Sequence, residues 1–180
     1  MDPQRLWAPW RLTYITGQPE EQEEAEAFDV LPGGDTDCFL CRCAASPDQR
    51  RNLVVNRGDH CVTVLNRYPY NNGHLLIAPL SHKSRLDQLS ALEQQESMQT
   101  LTRMTAAIES LIRPDGFNIG LNLGRAAGAG VPGHLHWHIV PRWNGDCNFM
   151  TNIADTRVIP QSLDELWLGL SAELARTRSD

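Results

Sequence analysis

The chain has 180 residues, of which 41% are apolar and 21% charged, with a mean hydropathy of −0.38; this suits one domain with a core and extensions. Sixteen Lys and Arg against 22 Asp and Glu give a net charge of −6. No basic stripe offsets it, which excludes a nucleic-acid polymer as partner but not a small phosphate ligand, for which a local cluster of donors suffices. No apolar run approaches the roughly 18 residues needed to span a bilayer, so no membrane partner is expected. Residues Met1 to Tyr14 lack the apolar stretch of a secretory signal, and a cytoplasmic chain is expected.

Residues 1–37 read as an N-terminal arm and an acidic connection. Trp7 and Trp10 are candidates to pin the arm, and 17–37, with Glu20-Glu21-Gln22-Glu23-Glu24, are too polar to bury. Residues 38–180 read as the folded domain. It opens on Cys38-Phe39-Leu40-Cys41. In a reducing compartment such a pair is a metal or redox motif more often than part of a disulfide framework. Cys43, Cys61 and Cys147 read as small apolar fillers. Alternation of Cys61, Thr63 and Leu65 with Val62, Val64 and Asn66 predicts a strand. Tyr68 to Gly73 is a turn by its Pro, Asn and Gly content. His74 to Leu80 is a second strand, making an antiparallel hairpin with the first.

Ser90-Ala91-Leu92-Glu93 has capping-box spacing, and Leu101, Met104, Ile108 and Leu111 form one helical stripe, which Pro114-Asp115-Gly116 ends. Strands are predicted over Phe117–Leu123 and Gly133–Arg142, with a Gly- and Ala-rich loop between them. A second capping-box spacing, Ser162-Leu163-Asp164-Glu165, opens a last helix with the stripe Leu163, Leu166, Trp167, Leu170 and Leu174. This order predicts an α+β fold: an antiparallel sheet of about five strands, a long helix and a C-terminal helix, helices mostly on one face.

His134, His136 and His138 are half of the chain's 6 histidines. In a strand, spacing by two puts all three on one face and turns Leu135, Trp137 and Ile139 to the other. A purely structural row would leave many ring nitrogens to satisfy. A neutral imidazole attacks phosphorus well when one nitrogen keeps its lone pair and the other is held as a donor. A neighbouring histidine can then donate to the phosphate or leaving group, in chemistry that demands mainly positioning and charge stabilisation. Glycines 124, 128, 130 and 133 suit that demand, since backbone amides without side chains approach a phosphate closely. Two other readings stay open. The row could hold a catalytic zinc, though no carboxylate base stands beside it. The chain could also be a catalytically idle nucleotide-binding module, a reading that the intact His136 disfavours.

The run His134-Leu135-His136-Trp137-His138-Ile139-Val140 resembles the motif of the histidine-triad (HIT) family, three histidines alternating with apolar residues. Thr63 to Arg67, Asn72 to Ile77 and Phe117 to Gly124 resemble the segments around it, so that the likeness covers roughly residues 38 to 150. A longer frame, from Leu6-Trp7-Ala8-Pro9-Trp10-Arg11 to Val140-Pro141-Arg142-Trp143, is similar to the bacterial dinucleoside polyphosphate hydrolases and phosphorylases of that family. The resemblance implies a HIT-like fold and a homodimer with its sheets side by side. It implies an enzyme that needs no cofactor for catalysis and cleaves substrates such as diadenosine tetraphosphate through a covalent nucleotidyl-histidine. Nucleotidyltransferases and phosphoramidate hydrolases of the same family share that nucleophile and stay open as alternatives.

Residue by residue, the resemblance implies that His136 is the nucleophile, that the carbonyl of His134 orients its ring, and that His138 contacts the phosphates. Asn66 would hold the ribose hydroxyls, His74 would lie near the phosphate site, and Asn122 would reach the phosphate or leaving group. Relatives often carry a hydroxyl residue just before the triad. Here the stretch is Gly130-Val131-Pro132-Gly133, with no hydroxyl, so that either backbone amides such as that of Gly130 would stand in or the leaving group differs. Trp143 could line the nucleotide pocket or pack, and Arg125 could meet a distal phosphate or remain solvated. Cys38 and Cys41 are half of a tetrahedral zinc site. Family members, including galactose-1-phosphate uridylyltransferases, complete such a site with a histidine and the first triad histidine. The resemblance thus implies structural zinc on Cys38, Cys41, His82 and His134, the alternative being two reduced, half-buried cysteines.

Overall fold

The computed structural model describes residues 30–146 and 159–177. Trp7, Trp10, the acidic connection up to residue 29 and Cys147 lie outside them. Along the chain come α1 (Phe39–Ala45), β1 (Val54–Arg57), β2 (Cys61–Leu65), β3 (Leu75–Pro79), α2 (Ala91–Ile112), β4 (Gly116–Leu121), β5 (Trp137–Arg142) and α3 (Leu163–Arg176). The strands form one five-stranded antiparallel sheet in the order β1-β2-β3-β5-β4. The α+β architecture is therefore the expected one.

Both capping boxes form. Ser90 Oγ accepts from the Glu93 N–H while the Glu93 carboxylate accepts from the Ser90 N–H, and Ser162 and Glu165 do the same at α3. These bonds satisfy amides that the helical ladder leaves without partners. The long helix stops at Ile112 because Arg113 takes a left-handed conformation (φ 46°) just before Pro114.

The alternation of the strands sorts the core into two layers. On one face Cys61, Leu65, Leu75, Ile77 and Ile139 pack under Leu101, Met104 and Ile108 of α2 and Leu166, Leu170 and Leu174 of α3. On the other, Val54, Val62, Val64, Leu76 and Ala78 pack under Leu40, Cys41, Cys43 and Ala44 of α1. That is why every residue of β2 and β3 is buried. The short helix covers only β1, β2 and β3, and the β5–β4 half of its face stays open. Among the described residues no helix is long and apolar enough to cross a membrane.

Two elements escape the sequence pattern. α1 is only seven residues long and its N-cap, Cys38, makes no side-chain capping bond. β1 is four residues with no polar alternation. Boundaries also differ: β3 is a residue shorter at each end than expected, β4 runs from Gly116 to Leu121 and stops short of Leu123, and the triad strand shifts most. The triad strand starts at Trp137 and not at Gly133, because β5 pairs with β3 only from Leu75↔Ile139 to Ile77↔Trp137. Before that the chain leaves the ladder. The Leu135 N–H donates to the Lys83 carbonyl (2.6 Å), and the His134 ring donates to the Pro79 carbonyl (2.9 Å). A loop carbonyl thus takes up the Leu135 amide in place of a ladder partner, as a buried backbone donor requires.

Candidate active site and metal centre

The histidine row lies on the α1 face, since His138 pairs directly with Leu76 and paired residues share a face. His136 is buried, and its Nδ1 lies 2.8 Å from the His134 carbonyl oxygen. A carbonyl only accepts, so Nδ1 carries the proton and Nε2 keeps a lone pair. Burial lowers the pKa of His136 below the ordinary imidazole value, against the raising effect of that carbonyl. The ring is therefore neutral at physiological pH.

A second chain of hydrogen bonds fixes His138. The Tyr70 backbone N–H donates to His74 Nδ1 (3.0 Å), and the Asn66 amide group reaches the same nitrogen (3.2 Å). His74 Nδ1 is therefore the acceptor, and its Nε2 proton points at His138 Nδ1, 2.9 Å away. That leaves the His138 proton on Nε2, a buried N–H with no acceptor among the described residues. The rings of His136 and His138 are 5.0 Å apart. Burial, followed by the neighbouring His138 and His136, pushes His74 down to about 3; burial and His136 push His138 down to about 4. The result is an unengaged lone pair on one ring beside a buried, unpartnered N–H on the next, the pair that attack on a phosphorus with charge stabilisation requires.

The turn before His74 holds this arrangement in place. Gly73 has φ +76°, and a Cβ there would meet Ile112 and Pro141 at 2.9 and 3.0 Å, so only glycine fits. Asn71 ties the same turn to the Pro141 carbonyl (3.0 Å) and to Asp146 (2.9 Å).

His138 also lines an open cleft of about 400 Å³, on the half of the sheet face that α1 leaves uncovered. Its floor is Asn118, Gly120 and Asn122 on one side and His138, Val140 and Arg142 on β5. The Tyr70 ring stacks on His138 at 5.8 Å.

The first triad histidine does something else. His134 Nε2 donates to Pro79, which leaves the Nδ1 lone pair 3.3 Å from Cys38 Sγ and 3.4 Å from Cys41 Sγ. His82 Nδ1 lies 3.2 Å from Cys41 Sγ, and the four donor atoms are within 4.8 Å of one another. Tetrahedral zinc with ordinary Zn–S and Zn–N bonds would set S···N edges of roughly 3.5 Å. The set fits a closed four-ligand site, with Asp35 Oδ2 3.9 Å from His82 Nε2 as an outer partner. Burial pushes the Cys38 thiol up to about 11, a cost that a bound cation would reverse.

The sequence-predicted residues divide accordingly. His134, His136, His138, His74 and Asn66 form one connected network, Asn122 lines the cleft, and Cys38, Cys41 and His82 join His134. His74 is 1% exposed with both ring nitrogens engaged, so it stands beside His138 and does not line the cleft. The Trp143 indole donates to the Arg113 carbonyl (3.2 Å) and is not part of the cleft lining. Gly130 and Arg125 sit in the exposed loop, with nothing near the Gly130 Cβ position. Sequence reasoning missed Tyr70, whose contribution to His74 is a backbone N–H, and Gly120, whose contribution is space.

Comparison with known proteins agrees with this geometry. Residues 48–145 match the HIT domain. Over 179 residues the chain is 39% identical to the AP-4-A phosphorylase of Mycobacterium tuberculosis, which covers 96% of this chain and 85% of that protein. A crystal structure of a Zn-bound histidine triad family protein from Mycobacterium smegmatis superposes with a TM-score of 0.65 at 27% identity, covering 81% of this chain and 99% of that one. The fold is also that of a Plasmodium falciparum diadenosine triphosphate hydrolase, with a TM-score of 0.59 at 17% identity over 93% and 97% of the two chains.

Proposed function

The chain belongs to the HIT-domain family, and from that premise we propose that it cleaves dinucleoside polyphosphates such as diadenosine tetraphosphate, with His136 as the nucleophile. One observation carries the reading: the bond from His136 Nδ1 to the His134 carbonyl, which leaves Nε2 free to attack. The likeness to the mycobacterial AP-4-A phosphorylase supports the substrate class.

In this mechanism the Nε2 lone pair attacks the α-phosphorus. An N–P bond forms, the bridging P–O bond breaks, and ATP leaves with the bridging oxygen and the bond electrons. The His138 Nε2 proton hydrogen-bonds the departing oxygens without leaving its ring. The adenylyl-imidazolium keeps its Nδ1 proton on the His134 carbonyl, which stabilises the new charge. Water then attacks phosphorus, returns the N–P electrons to Nε2, releases its proton to solvent and yields AMP. Inorganic phosphate attacking in its place yields ADP. Asn66 holds the ribose of the transferred nucleotide, and Asn122 faces the departing one.

We read the cysteine–histidine set as a structural zinc site formed by Cys38, Cys41, His82 and His134. All four positions belong to the protein, so no position is left for a reacting water, the feature of catalytic sites. The same reading takes residues 38–180 as the domain, with a homodimer built at a sheet edge in the cytoplasm. Exposed Ile119 on the edge strand β4 and nearby Leu123 support that edge.

The test is product analysis on diadenosine tetraphosphate with and without inorganic phosphate, alongside His136→Asn. AMP plus ATP identifies a hydrolase, and ADP plus ATP formed only with phosphate identifies a phosphorylase. Turnover in either tube should vanish in the variant. Near-native turnover without His136 overturns the nucleophile.

A further inference from the structure

The cleft has one chemically odd feature. In β4 the residue opposite His138 is Gly120. Its backbone is not in the left-handed region, and a Cβ there would meet nothing within 4 Å. Neither turn geometry nor packing asks for glycine, and in a strand interior glycine costs stability. What it provides is open space in the cleft that it shares with His138, whose buried N–H finds no acceptor among the described residues.

The sheet order gives that space a direction. Asn66 follows the end of β2, and across β3 and β5 the next strand is β4. Asn66 and Gly120 therefore flank His138 on opposite sides. Beyond Gly120 the floor continues over Val140 to Arg142, four residue steps or about 13 Å at strand spacing. The far end is polar but balanced in charge: Arg142 Nε and Nη2 donate to the Asp146 carboxylate, and its Nη1 donates to Asn118 Oδ1 (2.8 Å). Tyr70 supplies an exposed ring on the near side. An aromatic platform, neutral amide groups and a volume of about 400 Å³ suit a nucleoside rather than a bare polyphosphate.

Building on the reading of His136 as nucleotide carrier, we propose that this half of the sheet face seats the departing nucleotide, and that Gly120 sets the specificity by leaving room for it. The phosphates of the leaving group pass His138 at Gly120, and its nucleoside lies over Val140 towards Asn118 and Arg142. Pairing of a second copy along the β4 edge uses that strand's outward backbone groups and leaves the face open.

The test compares two substrates that share a transferred adenylyl group. Diadenosine tetraphosphate has a nucleotide leaving group, and adenosine 5′-phosphoramidate has only ammonia. In Gly120→Val, a residue that strands favour, the ratio of kcat/KM for the first to the second is expected to fall by roughly 30-fold, with Gly120→Ala in between. Asn118→Ala should lower the same ratio, chiefly through KM for the dinucleotide. An unchanged ratio in Gly120→Val overturns the proposal while leaving the His136 reading intact. If the wild-type protein cleaves neither substrate, that reading falls on its own. The cleft is then judged by ATP affinity under saturating AMP, where equal binding to wild type and Gly120→Val overturns the subsite and weakened binding supports it.

Discussion

The carbonyl of His134 and the ring of His134 serve different neighbours: the first accepts the Nδ1 proton of His136 over 2.8 Å, and the second lies among Cys38, Cys41 and His82. Whatever fixes the His134 side chain thereby fixes the group that sets the tautomer of His136. Cys38→Ser should therefore reduce bound zinc, lower the Tm by about 5 to 10 °C and slow turnover without abolishing it. Metal analysis, thermal unfolding and kinetics check this together. Unchanged turnover in a zinc-free, folded variant would separate the two neighbours of His134.

His74 acts through His138. Replacing it with Phe removes the donor that holds the His138 proton on Nε2. The expected loss is about 10- to 100-fold in kcat with a smaller change in KM. Nitrogen NMR of the His138 ring should show a mixed tautomer. A pure Nε2–H signal with reduced kcat would mean that the residue acts by packing alone.

Acid should unfold the protein partly through these rings. His74 and His138 sit at about 3 and about 4 when folded, pushed down first by burial, against about 6.5 when unfolded. Their contribution is present in full above that unfolded value and is lost as pH falls from there towards 4 and 3. Denaturant midpoints measured between pH 7 and 4 should fall, and less so in His74→Phe.

Glu93 adds a second acid-sensitive point. Burial would raise its pKa, but hydrogen bonds from Lys83, Ser81 and Ser90 outweigh it and hold the carboxyl at about 2. Its contribution is present above about 4.5, the ordinary value, and is lost as pH falls towards 2. Glu93→Gln should cost about 2 kcal/mol at neutral pH, since it weakens the cap of α2 and leaves Lys83 without its carboxylate. It should also flatten the stability profile below pH 4.5.

Leu170 is fully buried between α3 and the sheet. Leu170→Ala should cost about 3 kcal/mol by urea unfolding, with kcat close to wild type at a temperature where the variant is folded.

Much of this was legible in the residues. Periodicity found α2, α3, β2 and β3, because each presents one or two faces to the core over several turns or steps. The Ser90 and Ser162 spacings found both helix starts because capping is local. The spacing of the triad histidines put His136 beside His138. Cys38 and Cys41 came from their spacing, His82 and His134 as their partners came from the family resemblance, and the convergence of the four is tertiary. What stayed hidden is work done by groups that sequence does not display. The Tyr70 amide and the carbonyls of Pro79 and Lys83 are backbone atoms, present at every position. Gly120 looks like any small residue until a partner strand puts His138 opposite it. The strand boundary at Trp137 depends on where β3 stops pairing, which no property of the triad itself encodes.

A seven-residue helix that roofs three strands and leaves two bare has a consequence for redesign. Under the roof, any change at Val54, Val62, Val64, Leu76 or Ala78 must fit a close-packed interior. On the bare half, Asn118 and Gly120 are exposed and face the cleft, and substitutions there face few packing demands. On the reading proposed above, the groups that hold the His136 ring are thus separate from those that would seat the departing group, although both serve the one step in which that group leaves. A designer could therefore retune what departs at Asn118 and Gly120 of β4 without reopening the core.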